Sequence, residues 1–124
     1  MICDTTFASD LLRERRRRRG PAWQFFVTHR REVMRLSIIT VGELAVMFDA
    51  SWQAWLALSD WTVYRLHPGI VDSAADIDRQ LIRTGQRLGE NDNWIAGFAR
   101  YYREPLISRD AAFDRVPGLR RLDY

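Results

Sequence analysis

Short apolar runs alternate along the chain with longer segments of helical periodicity, and this alternation constrains the fold more than any other feature. We predict short strands at residues 1–3, 36–39, 61–66, 105–108 and 120–124. Short apolar runs separated by helices are typical of an α/β domain with a mostly parallel central sheet. In such a sheet the carboxyl ends of the strands share one edge, where functional sites are usually found.

The segments between the strands carry apolar residues at helical spacing. We predict helices at residues 5–14, 21–33, 41–48, 51–58, 69–84 and 91–102. The fifth helix has the clearest buried face, formed by Ile70, Ala74, Ile77 and Leu81. On the second helix we expect Trp23, Phe26 and Val27 to be buried. We expect the core or a dimer face to hold Trp52, Trp55, Trp61 and Trp94.

The chain has the size and composition of one globular domain, which we predict to span residues 1–124 with an apolar fraction of 47%. No run approaches about 18 consecutive apolar residues, so no membrane span is predicted. The single cysteine cannot form an internal disulfide, which suits the reducing cytoplasm. One Cys and two His also cannot supply the ligands of a His/Cys zinc site.

All 19 basic residues are Arg, and the chain contains no Lys. This excludes Schiff-base enzymes, P-loop NTPases and protein kinases, because each of these classes needs a lysine. Nine of the arginines lie in residues 1–35 against four acidic residues, and most of them stand in the run 13–19. Such a basic segment indicates an anionic partner such as nucleic acid. A solvated loop or helix end explains it equally well.

Four acidic residues fall where strands end or helices begin in this layout. Asp4 follows the first strand, Glu43 lies in the first turn after the second, and Asp110 follows the fourth. Asp92 stands at the start of a helix. In a parallel sheet these carboxylates gather at one edge, where a cation must offset their repulsion. Oxygen-only ligands favour Mg²⁺ or Mn²⁺, ions that activate water and neutralise charge on a phosphodiester.

Each acid also has a structural explanation when it is taken alone. Asp92 suits a helix cap, and Glu43 stands three residues after Thr40, the spacing of a capping box. Asp110 suits the end of a turn. Asp114 is either an exposed charge or a competitor of Asp110 for the position of fourth acid. The coincidence of three acids at strand ends favours a common site over separate structural roles.

Four motifs follow one another in the order found in a known family. Asp4-Thr5-Thr6 is similar to an Asp-Thr-Asn/Ser start, and residues 37–44 are similar to a strand-to-helix segment ending in Glu-Leu. Residues 89–97 are similar to Asn-Asp-x-x-Ile-Ala-Ala, with Gly97 in place of the last Ala. Residues 105–113 are similar to Leu-x-Thr-Arg-Asp-x-x-Phe. In this ordered set the chain resembles the PIN-domain ribonucleases, and in particular the VapC-type toxins of toxin–antitoxin pairs.

The resemblance implies a three-layer α/β/α fold with a five-stranded parallel sheet. It also implies Mg²⁺- or Mn²⁺-dependent cleavage of single-stranded RNA at a site formed by Asp4, Glu43, Asp92 and Asp110. By position, Asp4 and Asp92 would hold the principal ion, and Glu43 would bind it and help to activate the nucleophile. Asp110 would complete that site or help to hold a second ion. The supporting polar groups would be Thr5, Thr6, Asn91 and Ser108.

The expected function is therefore a metal-dependent endoribonuclease, a hydrolase of phosphodiester bonds that acts as a toxin. A housekeeping RNA-processing nuclease and an inactive RNA- or protein-binding module of the same fold are the alternatives. The expected partners are RNA and a cognate antitoxin, and a homodimer is left open. In such toxins the region after the first helix adjoins the antitoxin groove and the rim of the site. RNA or partner contacts are therefore expected from Arg15, Arg16, Arg17, Arg18 and Arg19.

Overall fold

Five short strands form one central sheet in the computed structural model, which describes residues 1–124. In chain order the strands are β1 Ile2–Cys3, β2 Arg35–Ser37, β3 Thr62–Tyr64, β4 Leu106–Ile107 and β5 Arg121–Leu122. Their order across the sheet is β3-β2-β1-β4-β5, and every neighbouring pair is parallel. The predicted parallel, five-stranded α/β fold is confirmed.

Helices connect the strands. They are α1 Thr5–Arg16, α2 Pro21–Thr28, α3 Ile38–Ala45, α4 Ser51–Ala57, α5 Pro68–Arg83 and α6 Glu90–Tyr102, and a 3-10 turn follows β4 at Ala111–Arg115. All four apolar positions predicted for the buried face of α5 are indeed buried. None of the six helices combines the length and the hydropathy that a transmembrane segment requires.

The sheet separates two hydrophobic cores, because successive side chains of a strand point to opposite faces. Ile2 and Leu106 pack against apolar residues of α5 and α6 on one face. Cys3, Leu36 and Ile107 pack against apolar residues of α1, α2 and α3 on the other. Helices therefore cover both faces of the sheet, which confirms the predicted three-layer arrangement.

The second strand ends earlier than predicted, and α3 starts directly after it. Ser37 is fully buried, and its Oγ accepts a hydrogen bond of 3.0 Å from the backbone N–H of Thr40, so Ser37 caps α3. Ile38 and Ile39 belong to this helix rather than to the strand, because the cap outweighs their preference for extended backbone. The predicted capping box of Thr40 and Glu43 was therefore wrong.

The second and fourth helices bury small residues rather than large ones. Ala22 in α2 and Ala54 in α4 are completely buried. These small residues let each helix backbone pack closely, and the larger side chains of the two helices stay partly or fully exposed. Val27 is 47% exposed, and α2 ends at Thr28 rather than at residue 33. The expectation that Val27 is buried was therefore wrong. Trp52 and Trp55 are exposed as well, so of the two expected positions the core is excluded for them and a dimer face stays a prediction.

Close packing of α5 against α6 fixes the helix that presents Asn91 and Asp92. A Cβ added at Gly97 in α6 would lie 2.8 Å from the Cβ of Ala74 in α5. That separation is shorter than a van der Waals contact between two carbons. Gly97 therefore sets how near the two helices approach each other, and even the methyl group of alanine does not fit there.

Candidate active site

Asp4 stands where β1 ends and α1 begins. Its carboxylate accepts a 2.6 Å hydrogen bond from the backbone N–H of Phe7 and so caps α1. The side chain is buried, with 5% of the residue exposed. Burial raises the pKa of Asp4, and the charge of Asp92 raises it further. Ser108 and Arg109, on the segment after β4, act in the opposite direction.

Glu43 projects from the middle of α3 and is held by residues of two other helices. The Thr5 hydroxyl of α1 donates a hydrogen bond to one carboxylate oxygen. The Asn91 amide of α6 donates to the other at 2.8 Å. These two contacts fix the orientation of the Glu43 carboxylate without placing a positive charge beside it. Of the supporting groups expected from the sequence, Thr5 and Asn91 thus touch an acid directly.

Asp92 lies in the first turn of α6 and is half-buried. Its burial is the largest cause of its raised pKa, and the negative charges of Glu43 and Asp110 add to the shift. Asp92 is therefore electrostatically coupled to Asp4, Glu43 and Asp110. We call these four residues the acidic site.

Asp110 is an exposed residue that caps the 3-10 turn after β4. Its carboxylate accepts a 2.8 Å hydrogen bond from the N–H of Ala112. The buried Ser108 hydroxyl accepts a 3.0 Å hydrogen bond from the N–H of Asp110 and so shapes this loop. Thr6 is exposed and makes no side-chain hydrogen bond within the chain.

Asp114 is not part of the acidic site. Arg121 binds its two carboxylate oxygens with separate hydrogen bonds of 2.8 and 3.0 Å. This bidentate pair lowers the pKa of Asp114. The charge of Asp110, in contrast, raises the pKa of Asp92, which favours Asp110 over Asp114 as the fourth acid.

The acidic site has the chemistry of a site for a hard divalent cation. All its donors are oxygens, and no salt bridge neutralises any of the four carboxylates. No three His, Cys, Asp or Glu side chains are arranged as a complete ligand set. Mg²⁺ does not require one, because it usually keeps several waters and binds one or two carboxylates. The residues present therefore fit such an ion.

A second polar cluster, which sequence reasoning missed, adjoins the acidic site. Asp10 in α1 is buried, and its carboxylate is bound by Arg13, by Arg109 at 2.7 Å and by the Tyr124 hydroxyl at 3.1 Å. The signal was present in the helical pattern, since Asp10 shares the buried side of α1 with Phe7 and Leu11. A charged residue at a buried position requires partners of this kind.

The arginine run does not form a uniform solvated loop. Helix α1 continues to Arg16, two residues beyond the predicted end, so part of the run is helical. Arg15 and Arg19 lie over the rings of Phe26 and Trp23, with 6.0 and 5.4 Å between guanidinium carbon and ring centroid. All five residues from Arg15 to Arg19 are exposed.

An apolar groove of about 370 Å³ lies among α1, α3 and α4. Its apolar lining consists of Leu12, Leu44, Met47, Phe48 and Ala57, and the polar lining consists of Ser9, Arg13, Arg16 and Arg17. The exposed side chains of Trp52 and Leu56 extend the apolar surface beyond the groove. We call this surface the α1/α3/α4 groove.

Comparison with known protein families gives one match, to the PIN domain, over residues 1–119. No curated protein sequence matches the chain.

Solved structures share the fold over nearly the whole chain. VapBC2 from Rickettsia felis bound to a promoter DNA fragment matches with a TM-score of 0.83 and 16% identity, over 99% of this chain and 97% of the other. DNA-bound VapBC from Salmonella typhimurium matches with a TM-score of 0.81 and 22% identity, over 98% and 96% of the two chains. FitAcB from Neisseria gonorrhoeae matches with a TM-score of 0.77 and 18% identity, over 98% of this chain and 95% of the other.

Proposed function

This chain belongs to the PIN-domain family, and from that premise we propose that it is a metal-dependent endoribonuclease of the VapC toxin type. The observation that carries the proposal is the placement of four acids without a salt-bridge partner. Asp4, Glu43 and Asp110 follow the carboxyl ends of β1, β2 and β4, and Asp92 is next to Asn91, which binds Glu43. Gathering four unpaired carboxylates costs folding free energy. A nuclease that binds a cation and a phosphodiester explains that cost.

In this proposal Asp4 and Asp92 would hold a Mg²⁺ or Mn²⁺ ion with the help of Asp110. When bound, such an ion would supply charge neutralisation at the phosphodiester and activation of a water. Glu43 accepts the proton of that water, because Thr5 and Asn91 orient its carboxylate and leave it unpaired with any cation. In-line attack of the water oxygen on the phosphorus forms a new P–O bond and breaks the bond to O3′. The downstream fragment keeps a 5′-phosphate, and the upstream fragment leaves as a 3′-hydroxyl that takes its proton from solvent.

Two alternative functions of the same fold, an inactive binding module and a housekeeping nuclease, can be distinguished from a toxin by experiment. An inactive RNA- or protein-binding module gains nothing from four coupled carboxylates, so the acidic site disfavours it. A housekeeping nuclease would have the same site and would cut RNA without being inhibited by a cognate antitoxin.

The first experiment is cleavage of labelled total RNA by the purified protein with Mg²⁺, with Mn²⁺ and with EDTA. We expect cleavage with the metals, none with EDTA, and none from Asp4→Asn or Asp92→Asn. Asp60→Asn is the matched control, because Asp60 is exposed and makes no ion pair. RNA binding without cleavage in either metal, unaffected by the two substitutions at the site, would contradict the nuclease.

We also propose that a cognate antitoxin binds the α1/α3/α4 groove. The groove is apolar at its centre and bordered by Arg13, Arg16 and Arg17, which suits an apolar segment flanked by acidic residues. Met47 is 65% exposed there, so Met47→Glu should prevent antitoxin binding without altering the core. The variant should cleave RNA as the wild type does and escape inhibition. A Met47→Glu protein that still binds the antitoxin would exclude this groove.

The arginines of the run 15–19 are proposed to contact RNA phosphates as well as the partner. Replacing all five with Gln should weaken RNA binding and flatten its dependence on salt concentration. An unchanged salt dependence would restrict these arginines to the protein partner. A homodimer stays a prediction, which analytical ultracentrifugation of the isolated chain tests.

A further inference from the structure

Arg109 extends from the loop between β4 and Asp110 toward α1. Its Nη2 donates a 2.7 Å hydrogen bond to the buried carboxylate of Asp10. Its guanidinium carbon lies 4.5 Å from the centroid of the Tyr124 ring. Arg109 directly precedes Asp110, and its partner Asp10 lies on α1, the helix that Asp4 caps, so this guanidinium lies next to the acidic site. A cation is thus held next to the acidic site by contacts with Asp10 and Tyr124, which are not among its four carboxylates.

The pairing with Asp10 does not account fully for Arg109. Arg13 already donates a hydrogen bond to Oδ1 of Asp10. The Tyr124 hydroxyl donates to Oδ2, the same oxygen that Arg109 binds. Arg109 uses only Nη2 in this cluster, and its Nε and Nη1 donate no hydrogen bond within the chain. Its side chain remains 49% exposed. The guanidinium therefore keeps an accessible edge with free donors, while Asp10 and Tyr124 limit its motion.

We propose that Arg109 binds a phosphate of the RNA strand next to the bond that is cleaved, and this inference rests on the proposed function. A guanidinium binds two phosphate oxygens through its planar edge, and Arg109 has such an edge free. Among the four acids an RNA backbone meets strong repulsion, so a fixed cation beside them favours its approach. Asp10 and Tyr124 are positioning residues that hold the guanidinium for this contact.

The test is the affinity of short single-stranded RNA of mixed sequence, measured over a series of salt concentrations. All proteins carry Asp92→Asn so that the RNA stays intact. Arg109→Gln should lower the affinity about tenfold and reduce the slope of log affinity against log salt by about 0.7, the value for one lost phosphate contact on a single strand. Arg109→Lys keeps the charge and should keep the slope.

Arg31→Gln is the matched control, since Arg31 is exposed, unpaired and placed before β2, at the opposite edge of the sheet. It removes the same charge and should leave the slope nearly unchanged. A slope for Arg109→Gln equal to that of the control would overturn the inference, even if the wild type cleaves RNA. A loss of slope shared by Arg109→Lys would mean that the loop was disturbed, and would overturn it too. Failure of the wild type to bind or cleave RNA would instead refute the proposed function itself.

Discussion

Carboxylates are treated in opposite ways in two regions of this molecule. Along α5 and at the C-terminal end, Asp76, Asp78 and Asp114 are each bound by an arginine, which lowers their pKa values. At the acidic site, Asp4 and Asp92 have no ion pair, and burial raises their pKa values. The chain has 19 arginines for 16 acids, so the unpaired state of the acidic site does not reflect a shortage of cations.

The difference shows what each region contributes. The paired region stabilises the fold through local hydrogen bonds such as the two from Arg87 to Asp78, both at 2.8 Å. The acidic site opposes folding through desolvation and repulsion. A site that costs stability and is nevertheless built from several elements is best explained by a ligand of opposite charge.

The largest effect is expected from removing the charge of Glu43, because it is the proposed proton acceptor. Glu43→Gln should lower kcat for RNA cleavage by about 10²–10⁴-fold, the usual contribution of a positioned acid or base. Asp114→Asn is the control from the paired region and should leave kcat unchanged. Rates measured with saturating Mn²⁺ and a defined RNA test this. Near-wild-type kcat for Glu43→Gln would remove Glu43 from the proton transfer.

The next largest effect is expected at Gly97, on the helix that joins the two regions. Asp92 lies at the start of α6, and Arg100 near its end donates a 2.7 Å hydrogen bond to Asp76. Gly97→Ala should lower the free energy of unfolding by about 1–3 kcal/mol, because its methyl group would overlap Ala74. Urea unfolding of the purified variant measures this loss.

A double-mutant cycle separates this overlap from a helix-propensity effect. Ala74→Gly should restore part of the stability of Gly97→Ala, even though glycine in a helix costs about 0.5–1 kcal/mol by itself. Additive losses in the double variant would show that the two residues do not meet.

A smaller effect, opposite in sign for the two regions, is expected in the pH dependence of stability. Because the pKa of Asp92 is raised on folding, the folded chain holds its proton to a higher pH than the unfolded chain. Ionisation therefore destabilises the fold as the pH rises from about 4 toward neutrality. Asp92→Asn should gain stability relative to the wild type over that window, in urea unfolding with EDTA. A gain independent of pH would contradict the raised pKa.

The effect of Mg²⁺ on the Tm is a second way to compare the acidic site with the paired region. The ion should raise the Tm of the wild type at neutral pH, because a ligand that binds only the folded state stabilises it. Asp92→Asn should lose most of that increase, and Asp78→Asn should keep it. An equal increase in all three proteins would place the ion elsewhere.

Local patterns predicted the elements of this fold well. The buried face of α5 follows from Ile70, Ala74, Ile77 and Leu81 at helical spacing, and the acids at strand ends follow from the order of strands and helices. Those features depend on residues near one another in sequence. They were therefore readable without knowledge of the tertiary contacts.

The parts that were not predicted depend on contacts between distant residues. Glu43 meets Thr5 and Asn91 across 38 and 48 positions, and Asp10 meets Arg109 across 99. No local pattern distinguishes a glutamate that closes a capping box from one that reaches two other helices. Whether Trp52 and Trp55 lie in the core or at the surface also depends on how α4 packs against the rest of the fold. The residue of α4 that is buried is Ala54, and the two tryptophans stay exposed.

The smallest effect is expected from Asp78→Asn. Its change in the free energy of unfolding should have the opposite sign to that of Asp92→Asn. Asp78 is bound by Arg87 near the surface, and such pairs contribute little because water and salt screen them. The lowered pKa of Asp78 means that its stabilising effect is present above the unfolded pKa and is lost as the pH falls through the folded value. Asp78→Asn should therefore lose a little stability at neutral pH, and this loss should shrink as the solution is made more acidic. The same Asp-to-Asn change at Asp92 gains stability at neutral pH. If both substitutions shifted stability in the same direction there, the two regions would not differ in how they treat charge, and the main physical argument for a ligand at the acidic site would fail.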